Sequence, residues 1–311
     1  MIGIDVGGAN LKVVNESGAH IHYCPLWENA PITSLLDQYI TSPADRAAVV
    51  MSGELADCFS DKMQGISFIV KAVKNSFPLA RFYGTDGKFH DGAVPRLAAA
   101  NWLASAAYLR EEYPNAVLLD IGSTTADIIP LARFDSLQGL TDLKRLQKGY
   151  LLYTGMLRGN IATLLQSVLV DGIKTTVSSE FFAMSADAHL VLGHIMPEEY
   201  TCDAPDHKEK TMAASIRRLA RVVCADPDEI GNDGAEQIAT QFWKKQRDLV
   251  CDQVRQVAED SGAGEIIVAG IGAHLFAREL GGIDLNEKLG PVAGAMPAFA
   301  VREIAMRGGY F

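Results

Sequence analysis

Long hydrophobic runs are missing from this chain. No stretch approaches the ~18 apolar residues that a membrane-spanning helix requires, and the opening Met1-Ile-Gly-Ile-Asp5 has no basic region leading into an apolar segment of the secretory kind. A cytoplasmic protein with no membrane partner is expected. Cysteine is sparse and scattered. Cys24, Cys58, Cys202, Cys224 and Cys251 form no Cys-x-x-Cys pair, so neither a thiolate zinc site nor a disulfide framework is indicated. The five are expected to be reduced and mostly buried. Positive charge is the third shortage: 28 Lys and Arg stand against 38 Asp and Glu, a formal net charge of -10. A polyanion is bound by clustered Lys and Arg that neutralise its phosphates, so nucleic acid is not an expected partner and a small, locally anchored ligand is. His189, His194 and His274 show no metal-binding spacing and are taken as structural. There is no Gly-x-Ser-x-Gly elbow and no Walker A lysine motif.

What is present is the composition of an ordinary globular protein, 311 residues with 48% hydrophobic and 21% charged content, enough for about two domains. Ile2 to Asp5, Leu11 to Val14 and His20 to Pro25 read as an antiparallel meander broken at Gly7-Gly8 and around Ser17-Gly18. Ala47 to Met51 and Arg81 to Gly84 are further strands. Ile66, Ile69, Val70, Val73 and Phe77 recur at helical spacing until Pro78. A second strand pair, Ala116 to Ile121 and Thr125 to Leu131, restarts the opening pattern around Gly122-Ser123-Thr124. Residues 151–260 read as mainly helical, with Trp243, Val250, Val254 and Val257 on one face. Glu265 to Ala269 is a buried strand running into Gly270-Ile271-Gly272, and Pro297 to Arg307 is a last helix.

Two of these turns carry chemistry. In Asp5-Val-Gly7-Gly8-Ala-Asn10-Leu-Lys12 a strand ends in an acid followed by paired glycines, where backbone amides can meet phosphate oxygens unobstructed by a Cβ. Asn10 and Lys12 add donors. In Asp120-Ile-Gly122-Ser123-Thr124-Thr125-Ala-Asp127 hydroxyls replace the second glycine. Either alone is also a plain hairpin turn. Related by a pseudo-dyad, they would bring Asp5 and Asp120 to one cleft, where two carboxylates suit hydrated Mg²⁺ against a di- or triphosphate. The turn at Gly270 and Gly272 reads equally as a base contact or as a helix-packing turn. Tyr153 and Arg158 read either as a pocket wall and a phosphate partner, or as a helix entry with a solvated arginine. Glu54 with Asp57, and Glu180 with Asp187, are further acids that suit a cleft or a surface. Asp203 to His207 suits a ligand contact or a simple turn.

In this order the turns resemble the two phosphate motifs and the adenosine motif of the ASKHA superfamily. More narrowly, Ile2-Gly-Ile-Asp-Val-Gly-Gly-Ala-Asn-Leu-Lys12, Met51-Ser-Gly-Glu-Leu-Ala-Asp57, Asp120-Ile-Gly-Ser-Thr-Thr-Ala-Asp127, Tyr153-Thr-Gly155 and Arg217-Arg-Leu-Ala-Arg221 resemble the hydantoinase A/oxoprolinase-related family, in its branch of tetrahydromethanopterin-linked C1-transfer proteins. The resemblance implies an α/β fold of two actin/Hsp70/sugar-kinase-like (ribonuclease H-like) domains around a central cleft: residues 1–115 with the C-terminal segment 296–311, and residues 116–295. It also implies an Mg²⁺-dependent transferase of methanofuran biosynthesis, joining an aminomethyl-furan-methyl diphosphate to the phenol of γ-glutamyltyramine and releasing diphosphate. In that scheme Asp5 and Asp120 hold the metal, the two turns and Lys12 hold the diphosphate, and Asp127 takes the phenol proton. ATP-dependent chemistry, as a small-molecule kinase or a ring-opening amidohydrolase using ATP and releasing ADP, remains an alternative, as does a non-catalytic nucleotide-binding regulator. Monomer and homodimer are both left open.

Overall fold

Ile2, Ile4 and Val6 alternate with Gly3 and Asp5 in β1 (Ile2–Val6), which the glycine turn folds back into β2 (Asn10–Asn15) and then β3 (Gly18–Tyr23). The computed structural model describes residues 1–28 and 31–310. Beside β1 run β4 (Ala47–Met51) and β5 (Arg81–Tyr83), all parallel, with β6 (Phe89–His90) antiparallel at the edge; the order is β3-β2-β1-β4-β5-β6. A second meander follows in β7 (Ala116–Ile121), β8 (Ala126–Pro130) and β9 (Leu151–Leu152). A separate hairpin, β10 (Ser167–Val170) and β11 (Ile173–Thr176), stands off this sheet. Then β12 (Glu265–Ala269) and β13 (Ile283–Asp284) extend β7 in parallel, giving β13-β12-β7-β8-β9.

Outward from β1 and β7 the two sheets are wired alike, a three-stranded meander on one side and two parallel strands on the other, with β6 an addition at the edge of the first. This duplication is the two-domain fold of the actin, sugar-kinase and Hsp70 type expected from the resemblance.

Strand side chains alternate between faces, and the two faces of each sheet meet different layers. Val49 and Met51 join Ile66, Ile69 and Val73 of helix Lys62–Ser76 on the outer side. That helix starts at Asp61, whose side chain accepts the Gln64 amide at 2.8 Å, and stops before Pro78. On the inner side, Ala48 and Val50 share one core with Leu118, Ile267 and Ala269 of the other sheet. Helices Asn101–Leu109 and Met296–Arg307 fill the layer between, through Trp102, Leu103, Ala300 and Val301. Val117, Leu119 and Ile121 face outward onto Val250, Val254 and Val257. These belong to helix Pro227–Ser261, which is interrupted at Gly231 (φ +64°). The central strands are therefore apolar on both faces, as buried parallel strands are.

One expectation is corrected. Residues 151–260, expected to be mainly helical, are helical only from 185 onward and carry the β10–β11 hairpin before that, because Asp171 and Gly172 adopt φ of +51° and +78°, the left-handed pair of a tight hairpin turn. Val168 and Val170 then face Ile238 and Phe242. Cys24, Cys202 and Cys251 are buried, Cys58 and Cys224 are exposed, and all five are free. Among the described residues no helix is long and apolar enough to cross a membrane.

Candidate active site

The two chemistry-bearing turns are built alike. Gly7 donates its amide to the Asn10 carbonyl at 2.9 Å, and Gly122 donates to the Thr125 carbonyl at the same 2.9 Å. Behind the first turn Asp5 pairs in register with Lys12; behind the second Asp120 pairs with Asp127. The Gly7 and Gly122 amides are thus committed to their own turns. The tip residues Gly8, Ala9, Ser123 and Thr124 line the cleft.

Both turns line one cleft of about 390 Å³ between the sheets. Asp5, Gly7, Gly8, Asn10 and Lys12 form one wall, and Asp120, Gly122, Ser123, Thr124, Thr125 and Asp127 the other. Tyr153, Arg158 and Asp57 line it too. Burial raises the Asp5 carboxyl above the ordinary carboxylate range; Lys12, whose Nζ lies 3.8 Å from Oδ2, opposes that, and Asp127 reinforces it. Asp5 Oδ1 is buried without any hydrogen-bond partner. Asp120 is pushed up to about 6 by burial and then by the charge of Asp127, with Lys12 opposing and Asp5 adding to the rise. Concentrated negative charge and an orphaned buried oxygen are features a bound cation would relieve.

The second turn is braced from behind. Met156 donates to the Gly122 carbonyl, and Leu157 and Arg158 both donate to that of Ser123, each at 2.9 Å. A Cβ on Gly155 would lie 2.5 Å from the Thr124 nitrogen, so only glycine lets the segment after β9 approach so closely. Gln246, fully buried, donates to Thr154 Oγ1 and to the Gly155 carbonyl at 2.9 Å each, and its Oε1 accepts from His189 Nε2 at 2.8 Å. His189 itself is fully buried.

Several cleft residues carried no local signal. Arg145, 2% exposed, lies between Asp127 and Asp142, 3.0 Å from the latter, and stacks on Trp102 at 4.3 Å. Asp127 is therefore one arm of a buried ion-pair network. Trp27, also in the cleft lining, carries the Arg158 guanidinium 4.9 Å above its ring. That contact and the Tyr23 hydroxyl donating to Asp203 at 3.4 Å span the two halves.

Three readings that the sequence left open fall outside the cleft. Gly270 and Gly272 are absent from the cleft lining. A Cβ on Gly270 would lie 2.4 Å from the Ile121 carbonyl oxygen, and one on Gly272 would lie 2.8 Å from Met156 Sδ, so both are packing glycines behind the second turn. Asp187 is fully buried away from the cleft, accepting from Arg218, Ser215 and Tyr200 at 2.8, 2.8 and 3.2 Å. Asp206 joins the same network through Arg218 at 3.1 Å, which makes the Asp203 to His207 segment a structural turn at that residue. Glu180 is exposed and outside the cleft lining.

Comparison with known proteins is consistent along the whole chain. A protein of Methanocaldococcus jannaschii, 32% identical over 323 aligned positions covering 99% of this chain and 98% of its own, is named (4-{4-[2-(gamma-L-glutamylamino)ethyl]phenoxymethyl}furan-2-yl)methanamine synthase. One of Methanococcus vannielii with the same name is 35% identical over 197 positions, covering 60% of this chain and 89% of its own. Among solved structures, nucleotide-free acetone carboxylase aligns at a TM-score of 0.48 and 13% identity, over 94% of this chain and 51% of that one. A ROK family glucokinase from Streptomyces griseus aligns at 0.44 and 12%, over 99% of each chain. A family model described as hydantoinase/oxoprolinase matches residues 45–302, and the chain belongs to the hydantoinase/oxoprolinase family.

Proposed function

We propose that this chain is a diphosphate-releasing transferase that joins an aminomethyl-furan-methyl diphosphate to the phenol of γ-glutamyltyramine, or of a tyrosine analogue, in methanofuran-type cofactor synthesis. The observation that carries the proposal is the convergence of two like-built acid-and-glycine turns on one cleft, in a chain 32% identical over nearly its whole length to a protein named for a phenoxymethyl-furan product. The bond implied by that name is an aryl ether. Making it requires a furfuryl carbon that sheds a leaving group and a phenol oxygen that attacks.

The residues suit a diphosphate as that leaving group. Amides at the Gly8 and Ser123–Thr124 tips, the hydroxyls of Ser123, Thr124 and Thr125, and the charges of Lys12 and Arg158 address its oxygens from both walls. Such preset donors stabilise charge as it develops on the departing diphosphate. Mg²⁺ fits the paired Asp5 and Asp120 carboxylates, since this ion is ordinarily held by one or two carboxylates together with substrate phosphates. Bound there it would neutralise diphosphate charge. Tyr153 and Leu55, which are 66% and 53% exposed at the cleft mouth, offer an apolar and aromatic rim for the phenol-bearing acceptor.

Activation is complete in the incoming diphosphate, so little ATP hydrolysis is expected. A furfuryl diphosphate analogue with Mg²⁺ should protect the protein thermally, by about 2.7 kcal/mol at a hundred times its dissociation constant. ATP with Mg²⁺ should protect it far less. Strong protection by ATP, with hydrolysis stimulated by a small-molecule acceptor, would place ATP-dependent chemistry ahead of this reading.

A further inference from the structure

We propose that Trp27 is the positioning residue that holds Arg158 ready for a diphosphate, an inference that rests on the diphosphate reading of the cleft above. Three cationic side chains line the cleft: Lys12, Arg145 and Arg158. Lys12 lies 3.8 Å from Asp5, and Arg145 is paired with both Asp127 and Asp142. Arg158 is different. Among the described residues its guanidinium has no ion pair and no hydrogen bond, and lies instead on the face of Trp27, 4.9 Å from the ring centre. Its N–H donors thus stand uncommitted at the wall of the cleft.

A guanidinium is attracted to an aromatic ring through its flat face, while its N–H donors lie in its own plane. Stacking therefore fixes the place of the group without using the donors, whereas a carboxylate partner would occupy part of that fork. The fork left free is the one that meets two phosphate oxygens side by side. Both ends of the contact are anchored to the turns. The Arg158 amide donates to the Ser123 carbonyl at 2.9 Å, at the tip of the second turn. Trp27 sits in the short 3₁₀ turn Leu26–Glu28, where the Leu26 amide donates to the Gly8 carbonyl at 3.0 Å, at the tip of the first. Just before it, the Cys24 amide donates to the Ala9 carbonyl at 2.8 Å. Leu26 is buried in the core of the first half, which gives the turn its footing. The Trp27 indole N–H donates to Glu28 at 3.2 Å, which engages the edge of the ring and leaves its face to Arg158.

The pair thus crosses the cleft from one turn tip to the other, with Trp27 supplied by the first half and Arg158 by the second. An unrestrained arginine would lose much of its rotamer freedom on meeting a phosphate. One already laid on a ring has lost part of it beforehand, which favours binding. Trp27 touches no reacting atom in this account; it acts through Arg158.

The test is calorimetric titration with inorganic diphosphate and Mg²⁺ of wild type, Trp27→Leu, Arg158→Gln and the double variant. Arg158→Gln should weaken binding about 10- to 100-fold, as expected for losing charge-assisted hydrogen bonds. Trp27→Leu should weaken it about 3- to 10-fold, and should cost nothing further once Arg158 is gone. Trp27→Phe, which restores an aromatic face, should recover part of the loss. Wild-type affinity in Trp27→Leu or in Arg158→Gln would overturn the proposal, as would a Trp27→Leu loss that persists undiminished beside Arg158→Gln, or a wild type that does not bind diphosphate. If Trp27→Leu does not fold, fluorinated tryptophans placed at position 27 decide, because they keep the shape of the ring while weakening its negative face. Affinity should then fall step by step with added fluorine, and a constant affinity would contradict the role. The expected binding pattern in a protein that forms no ether would leave this inference standing and defeat the transferase reading alone.

Discussion

Asp120 is a carboxylate that folding has made costly. Moving its pKa from 3.8 to about 6 corresponds to on the order of 3 kcal/mol against the charged form, at ~1.4 kcal/mol per unit. Because the folded value is raised, the folded state holds this proton more tightly than the unfolded chain does. The cost is thus fully present above the folded value and disappears below the ordinary carboxyl range. Asp120→Asn should therefore be more stable than wild type by roughly 1–3 kcal/mol at pH 8 and no more stable near pH 3, in denaturant titrations with a chelator present. A pH-independent difference would mean that the charge is not what the site strains against. Asp5 and Asp120 were legible in the sequence because an acid, a glycine and a strand end are neighbours in the chain. Arg145 was not, because its significance comes from Asp127, 18 positions earlier, and from Trp102, neither of which a local pattern links to it. Glu54 was visible as an acid, but its burial and its unbonded Oε2 belong to an environment that only the packed chain creates.

At the scale of elements, the meanders, the helix ending before Pro78 and the strand at Glu265–Ala269 could be read from period and punctuation. The hairpin of β10 and β11 had its signal too, an Asp171-Gly172 pair after alternating Val168 and Val170, which the helical character of the flanking sequence obscured. Gly155 shows what spacing cannot reveal. It reads as part of a helix entry, yet it is the point where the segment after β9 presses on the tip of the second turn. Gly155→Ala puts a Cβ against the Thr124 nitrogen, a backbone atom with no side-chain freedom to yield, so the turn must shift. A displacement of about 1 Å at a positioning element is worth up to about 100-fold in rate. The expected outcome is a loss of that order in ether formation and weaker protection by furfuryl diphosphate, with the far-ultraviolet circular dichroism unchanged. Full activity would show that the turn does not need to stand where Gly155 allows it.

The whole molecule is two similarly wired sheets around a shared layer of two helices, and its candidate cleft exists only because the duplication sets the two turns opposite each other. The repeat of motif type was readable, but the sequence could not show that helices Asn101–Leu109 and Met296–Arg307 supply one core common to both sheets. Nor could it show that Tyr23 reaches Asp203 across 180 positions, or that Trp27 receives Arg158. Those contacts depend on how the halves close. The fold by itself accommodates kinases and other phosphate chemistry as readily as ether formation. The most direct measurement is therefore of products: the protein incubated with Mg²⁺, an aminomethyl-furan-methyl diphosphate and a γ-glutamyltyramine-type phenol, followed by mass spectrometry and a diphosphate assay. The account predicts aryl ether and diphosphate appearing in equal amounts, with no phosphoryl group on the acceptor; a phosphorylated acceptor without ether would contradict it.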